Sequence, residues 1–240
     1  MIDLHCHYLP GVDDGAQTIT DALALARAAV ENGIREAVLT PHVHPGRYAN
    51  SRSTLQPKFE DFQRLLSSEH IPLKLHLGAE IRLSTESLAL VDRDELPMLG
   101  HWEGFEVVLL ELPPGHLPVG AINVVGFFMK KGIIPLLAHP ERNKAFMHDW
   151  RTVKPFVEAG CLLQVTAASV IGDFGPTAQS TALDLLDAGW VSIVATDAHN
   201  LVHRPPVLAQ ARDEITRRFG ADAAHLLTEV NPGRILAGNG

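Results

Sequence analysis

Residues 120–139 read GAINVVGFFMKKGIIPLLAH. An amphipathic helical stretch near Gly120–Lys131 closes at Gly132, an apolar strand follows at Ile133–Ala138, and a histidine stands directly after the strand. Glycine just past the last helical turn is a common helix stop, and a short β-branched or aliphatic run bounded by such punctuation reads as a buried strand. The unit is helix, tight turn, strand, then a polar residue at the strand's carboxyl end.

The same unit recurs outward in both directions. Towards the start, strands are read at Ile2–His5, Glu36–Thr40, Leu73–Glu80 and Glu106–Leu112, with helices at Thr20–Asn32 and near Leu55–Ser67. Towards the end, a helix near Trp150–Ala159 precedes a strand at Leu162–Thr166, and a helix near Thr177–Ala188 precedes a strand at Val191–Thr196. Helices near Pro206–Phe219 and Ala221–Glu229 finish the chain. Strands alternating with helices imply a mainly parallel sheet with helical crossovers. About seven such units in 240 residues point to one α/β domain spanning 1–240 and to a closed, TIM-barrel-like arrangement, since such barrels run to roughly 250 residues.

The bulk numbers agree with an enzyme-sized globular core: 46% hydrophobic and 20% charged residues. A formal net charge of −8 at pH 7 argues against a nucleic-acid binder, whose partner rewards a basic surface. It is compatible with an anionic substrate if divalent cations sit among the carboxylates, three of them contributing about +6 at the docking point. Cys6 and Cys161 are the two cysteines, too few for a disulfide framework. The first residues lack a basic and then apolar leader pattern, and the most apolar stretch, near Gly132–Ala138, is too short to span a bilayer. A soluble protein of a reducing compartment, the cytoplasm, is expected.

Thirteen histidines would on their own fit a solvated, His-rich surface; their placement argues otherwise. His5 and His7 end the first strand, His42 follows the second, Glu80 ends the third and Glu111 the fourth. His139 follows the fifth, and Asp197 and His199 follow the seventh. In a parallel βα barrel these positions share one rim, where such folds build active sites. The two-residue period of a strand puts His5 and His7 on one side and Cys6 on the other.

Singly, each residue has an ordinary explanation. Asp13 and Asp14 could be turn residues or a helix cap, Glu80 and Glu111 salt-bridged strand ends, and His139, Asp197 and His199 loop hydrogen-bonders. Jointly they would need coincident excuses at five or more strand ends, because a carboxylate after an apolar strand is costly unless paired or metal-bound. A mixed nitrogen and oxygen set suits Mn, Fe or Zn better than Ca or Mg.

These residues, with the segments HCHYLPGVDDG (5–15), AHPER (138–142), TAASVIGDFG (166–175), TDAHN (196–200) and RPP (204–206), resemble the PHP (polymerase and histidinol phosphatase) superfamily. Within it they resemble the CpsB/YwqE-type capsular-polysaccharide protein-tyrosine phosphatases of bacteria, from Met1 to about residue 210. The resemblance implies a distorted (β/α)7 PHP-type barrel and a trinuclear site of His5, His7, Asp14, His42, Glu80, Glu111, His139, Asp197 and His199. It prefers Asp14 to Asp13 as ligand and implies Mn first, with Fe or Zn next. It also implies phosphate binding by Arg142 and Arg204.

In the loop after His42, His44 is either a substrate-side acid or a loop residue, and Arg47 either a phosphate contact or a solvated arginine. The implied substrate is a phosphotyrosine protein, the tail of a tyrosine kinase regulating exopolysaccharide synthesis, hydrolysed by metal-activated water. A PHP phosphatase for a small phosphomonoester such as histidinol phosphate, and a non-catalytic metal-binding regulatory partner, are the competing readings. Oligomeric state is left open. A cysteine-dependent phosphatase would need Arg six residues after its cysteine; Val12 and Ala167 stand there, so thiolate chemistry is excluded.

Overall fold

The computed structural model describes residues 1–238. Its strands and helices are β1 (Ile2–Cys6), α1 (Ile19–Glu31), β2 (Glu36–Leu39), β3 (His42–Val43), α2 (Arg52–Ser68), β4 (Lys74–Leu77), β5 (Glu80–Arg82), α3 (Thr85–Asp92), β6 (Gly100–Trp102), β7 (Phe105–Glu111) and α4 (Ala121–Lys130). There follow β8 (Ile133–Ala138), α5 (Lys144–His148), α6 (Lys154–Glu158), β9 (Leu162–Thr166), α7 (Ala167–Ile171), α8 (Pro176–Asp187), β10 (Ile193–Ala195), α9 (Leu208–Phe219), α10 (Ala221–His225) and α11 (Asn231–Ala237). One sheet runs β1-β2-β4 and the other β10-β9-β8-β7-β5-β3, all parallel, with the short β6 antiparallel on β7. The expected α/β architecture of parallel strands and helical crossovers is what the chain forms.

The two sheets are pieces of one curled surface. The chain passes directly from β2 to β3 and from β4 to β5, so the second and third strands each change sheet partway along. The expected strand Leu73–Glu80 is therefore broken in two, and Glu80 begins β5 instead of ending a strand. Gly78 lies at the break, where a Cβ would come within 2.7 Å of Leu99 and 2.9 Å of Val38. A side chain there would fill space that the neighbouring strands already occupy.

Side-chain parity marks an inside and an outside. Leu4, Val38, Val107, Leu109, Leu136, Ala138, Ile193 and Ala195 join Ile235 and Leu236 of α11 in one buried cluster. Their strand neighbours Ala37, Leu39, Val108, Leu110, Leu137 and Val194 belong to the larger cluster shared with the helices. Such alternation between an interior and a helix-covered exterior is that of a barrel.

The strand path is not laddered all the way round. β10 and β1 meet at their carboxyl ends through the Cys6–Ala198 bridge, with Asp197 N donating to His5 O at 2.7 Å and His7 N to Ala198 O at 2.9 Å. Below that point a side chain fills the seam. Asp3 is fully buried; its carboxylate accepts from Thr196 N (2.9 Å), Thr196 Oγ1 (2.6 Å) and His5 N (3.3 Å). The pairing register of β1 shifts between Asp3 and Cys6. This bulge lets Leu4 enter the interior cluster while the next residue, His5, also faces inward.

Other departures from the expected elements have local causes. The helix expected near Trp150–Ala159 is a 3-10 turn (Trp150–Val153) followed by α6, because Pro155 has no N–H to continue a helical ladder. The C-terminal helix turns into a π segment at Leu226–Val230 and resumes as α11, with Pro232 near its start. β3, β6 and α3 are too short for periodicity to reveal.

Asp3→Ala would strand two buried donors of Thr196 and is expected to lower stability by about 2–4 kcal/mol. Urea denaturation of the metal-free protein checks this; an unchanged midpoint would show that the seam does not depend on Asp3.

Candidate metal centre

The expected ligands lie at strand ends or in the loops beside them, His42 and Glu80 at the starts of the short strands that continue the paths of β2 and β4. β1 supplies His5 and delivers His7, β3 begins with His42, β5 begins with Glu80, and β7 ends with Glu111. His139 follows β8, and Asp197 and His199 follow β10. His139 (φ 34°) and Asp197 (φ 53°) hold left-handed backbone, costly for side chains bearing a Cβ and found where surrounding structure enforces it. Both turn their side chains back towards the common rim.

Three groups of donors converge: His7, His42 and His199; His5, His7, Glu80 and Asp197; and His42, Glu80 and Glu111. Glu80 Oε2 lies 2.9 Å from His42 Nδ1 and 3.3 Å from His5 Nε2. Asp197 Oδ1 lies 3.1 Å from His5 Nε2 and 3.4 Å from His7 Nε2. His139 Nε2 is 2.9 Å from Glu80 Oε1. Asp14 Oδ1 is 3.2 Å from His42 Nε2 and 3.8 Å from His199 Nε2.

The fit to cations can be read from the lone pairs. Gln164 Oε1 accepts the backbone N–H of His139 (3.2 Å), which fixes its amide orientation, and it therefore accepts a proton from His5 Nδ1 (2.9 Å). His7 Nδ1 donates to Asp13 Oδ2 at 2.7 Å. His199 Nδ1 donates to the Asp197 carbonyl at 3.0 Å. In all three rings Nε2 faces the cluster. Glu80 Oε2, Asp197 Oδ1 and His199 Nε2 are buried and satisfied by no hydrogen bond, while Glu111 Oε2 is ion-paired with Arg82. Buried orphan acceptors aimed at shared points, on rings oriented from behind, make a donor set suited to divalent ions.

The aspartate pair divides its labour. Asp13 is buried and accepts from His7, from Gly15 N (2.9 Å) and from His42 N (3.0 Å), so it orients ligands from behind. Asp14 is about half exposed and faces His42 and His199. Gly15 closes the loop against β1, where a Cβ would lie 2.1 Å from His7 O.

Charge without metal is balanced by protons. Burial by itself would lower His5, but Asp197 and Glu80 outweigh it and raise the ring to about 10. Asp13 likewise outweighs burial at His7, raised to about 9, and Glu80 and Asp14 raise His42 to about 11. Burial together with Arg142 pushes His139 down to about 4. Burial and then Glu80 push Glu111 up to about 7.

Two arginines share the other oxygen of Asp197. Arg142 Nη1 and Arg204 Nη2 both donate to Oδ2, and both line a pocket with Asp14, His42, Glu80 and Glu111. Arg47 is exposed, 4.0 Å from Asp14, and lines the same pocket. Its guanidinium carbon is 4.9 Å from the Tyr48 ring centroid, and Tyr48 stacks on His42 at 5.6 Å. His44 sits in a turn closed by its hydrogen bonds to Tyr48 and does not line the pocket.

Sequence reasoning missed Gln164, Asp13 as an orienting group, and Arg82, which pairs with Glu111 at 3.0 Å. Gln164 had a signal, a lone amide inside the apolar strand LLQVT. Arg82 had one too, two residues beyond Glu80 on the same strand face.

A curled parallel sheet carrying a His and carboxylate cluster at its carboxyl rim, beside paired arginines, defines a class of α/β proteins built around a metal centre. Within it the chain belongs to the CpsB/CapC family of capsular polysaccharide synthesis, whose family model matches residues 1–237. It is 35% identical to the tyrosine-protein phosphatase YwqE of Bacillus subtilis, over 95% of this chain and 89% of that protein. It is 27% identical to the tyrosine-protein phosphatase CpsB of Streptococcus pneumoniae, over 98% of both. A crystal structure from work on YwqE and CpsB, described as metal-dependent tyrosine phosphatases, superposes with TM-score 0.92 at 33% identity, covering 99% of this chain and 95% of that one. A β-aspartyl dipeptidase of Fervidobacterium islandicum shares the fold alone, at TM-score 0.58 and 12% identity over 99% of this chain and 72% of that one.

Because His5, His7 and His42 carry protons that a cation must displace, metal affinity is expected to rise with pH between 6 and 8. Each displaced proton contributes roughly tenfold per pH unit. Titration calorimetry in buffers of different ionisation enthalpy reads the protons released; affinity independent of pH would contradict the assignment. Asp13→Ala, which frees the His7 ring, is expected to weaken binding roughly 10- to 100-fold.

Proposed function

We propose that the chain is a metal-dependent phosphatase that removes phosphate from phosphotyrosine in a protein, the tail of a bacterial tyrosine kinase governing capsular or exopolysaccharide synthesis. The observation that carries this reading is the two-sided use of Asp197, whose Oδ1 joins the donor cluster while Oδ2 anchors Arg142 and Arg204. A cation site and two planar phosphate-grade donors are thereby held on one pocket. The names and the metal dependence of the relatives support it. We further propose three divalent ions, manganese before iron or zinc, held by His5, His7, Asp14, His42, Glu80, Glu111, His139, Asp197 and His199. No described helix is long and apolar enough to cross a membrane, and a cytoplasmic site of action suits a substrate in a kinase tail.

When bound, the ions would supply the Lewis acidity that activates water and neutralises phosphoryl charge. The protein's own groups do the rest. Arg142 and Arg204, fixed from behind by Asp197, present their remaining N–H groups to non-bridging phosphoryl oxygens, a task planar guanidinium suits. Arg47, on the open side of the pocket, is placed to meet the phosphate on entry. The phenolate leaving group has a pKa of about 10 and asks little of a general acid. His44 stands in the turn outside the pocket lining, and burial and then Arg82 keep it below its ordinary pKa, which disfavours the protonated form a general acid needs.

Covalent thiol chemistry is closed off. Cys6 and Cys161 are both buried; burial holds the Cys6 thiol well above its ordinary value and pushes Cys161 up to about 12.

Metal-loaded protein is expected to hydrolyse a phosphotyrosyl peptide, to lose the activity in chelator and to regain it with Mn. His42→Ala should abolish turnover, and Arg142→Ala or Arg204→Ala should reduce it roughly 10²- to 10³-fold. The doubly substituted Cys6→Ala, Cys161→Ala protein should remain active. A substrate panel decides: turnover of histidinol phosphate but not of phosphotyrosyl peptide would refute the reading, as would no phosphomonoesterase activity at all.

A further inference from the structure

The segment TAASVIGDFG (166–175) is distinctive in the sequence, yet it contributes nothing to the donor cluster. In the fold it grips the turn that carries Arg142 at two adjacent residues. Glu141 is fully buried, and its Oε1 accepts from Thr166 N (3.0 Å) and Ser169 Oγ (2.7 Å). It thereby ties the His139–Arg142 turn to the first turn of α7. The next residue meets the far end of the same segment: the Arg142 guanidinium carbon lies 4.5 Å from the centroid of the Phe174 ring.

Phe174 does not behave as a core residue. It is half-buried and belongs to neither hydrophobic cluster nor to the apolar side chains packed against them. Its position is nonetheless firmly set. Gly172 (φ 95°) and Gly175 (φ 87°) make the turn around it, closed by Asp173 N to Ala168 O at 2.9 Å and Gly175 N to Gly172 O at 2.9 Å. Gln179 donates to Val170 O at 3.1 Å and fills the space where a Cβ on Gly172 would lie. A rigid loop that holds an aromatic ring against a cation, away from the core, is built for that contact.

We infer that Phe174 is a positioning residue for Arg142, setting the plane of the guanidinium through its π face. Arg142 has a hydrogen bond to Asp197 at one nitrogen, and a single such bond leaves the guanidinium free to rotate about it. A ring lying under the guanidinium carbon at 4.5 Å restricts that freedom, so that the remaining N–H groups stay directed into the pocket. The ring's negative face also favours the cation electrostatically, and an aliphatic side chain of similar volume would not. The inference rests on the proposed role of Arg142 in binding the phosphoryl group.

The test is a double-mutant cycle on the metal-loaded protein, with kcat and KM on a phosphotyrosyl peptide, inhibition by inorganic phosphate, bound metal and thermal midpoint as readouts. Phe174→Leu is expected to lower kcat/KM and weaken phosphate inhibition by roughly 3- to 30-fold, the range of a cation–π contact from exposed to desolvated sites. Metal content should be unchanged, Phe174→Tyr should restore most of the loss, and Phe174→Leu should cost nothing more once Arg142→Ala is present. If Phe174→Leu has wild-type kinetics while Arg142→Ala is impaired, the inference falls and the proposed function stands. An equal loss from Phe174→Leu in the Arg142→Ala background, or a Tyr variant as poor as Leu, also overturns it. If Arg142→Ala has no effect, the phosphate role of Arg142 fails and the inference fails with it.

Discussion

Two buried carboxylates, Glu80 and Asp197, stand at the floor of the rim, and the site is organised around their need for positive charge. An uncompensated buried anion costs several kcal/mol, so a fold that places two of them together must surround them with cations or protons. His5, His7, His42 and His139 ring Glu80, while Arg142 and Arg204 meet Asp197 from the opposite side. The resulting fields hold both carboxyls well below their ordinary values despite burial. The protons stored on His5, His7 and His42 are the counterpart that divalent ions would replace.

Asp197 connects the two halves of the site by geometry. Its left-handed backbone follows β10, and its N–H is bonded to His5 O across the seam between β10 and β1. The carboxylate that faces both the donor cluster and the arginines therefore sits where the curled sheet comes together. Asp3, one layer below, takes the place of the missing ladder between the same strands. At the seam β1 and β10 are joined by the Cys6–Ala198 bridge, by backbone bonds at Asp197 and His7 and by the Asp3 carboxylate.

Orientation of the donors depends on groups one layer further out. Gln164, Asp13 and the Asp197 carbonyl each hold an imidazole Nδ1–H, which fixes the tautomer and leaves Nε2 available. Arg82 does the corresponding work at Glu111. On the substrate side, the 166–175 segment stands to the arginine turn as these groups stand to the histidines.

The sequence by itself determined the alternation of strands and helices, because punctuation by Gly and the switch between apolar runs and amphipathic stretches are local signals. It also determined that His5, His7, His42, Glu80, Glu111, His139, Asp197 and His199 fall near strand ends, since strand position needs no long-range information. Tertiary structure alone decided how those ends meet. The space at Gly78, where the expected strand Leu73–Glu80 breaks, is limited by Leu99 and Val38, the bulge in β1 lies in its pairing with β2, and the separate tasks of Asp13 and Asp14 depend on which imidazole each one faces. The contact of Phe174 with Arg142 joins residues 32 positions apart, and no periodicity encodes it. Spacing along a chain fixes which face a side chain occupies; only the packed fold sets which partner, charge or ring stands opposite.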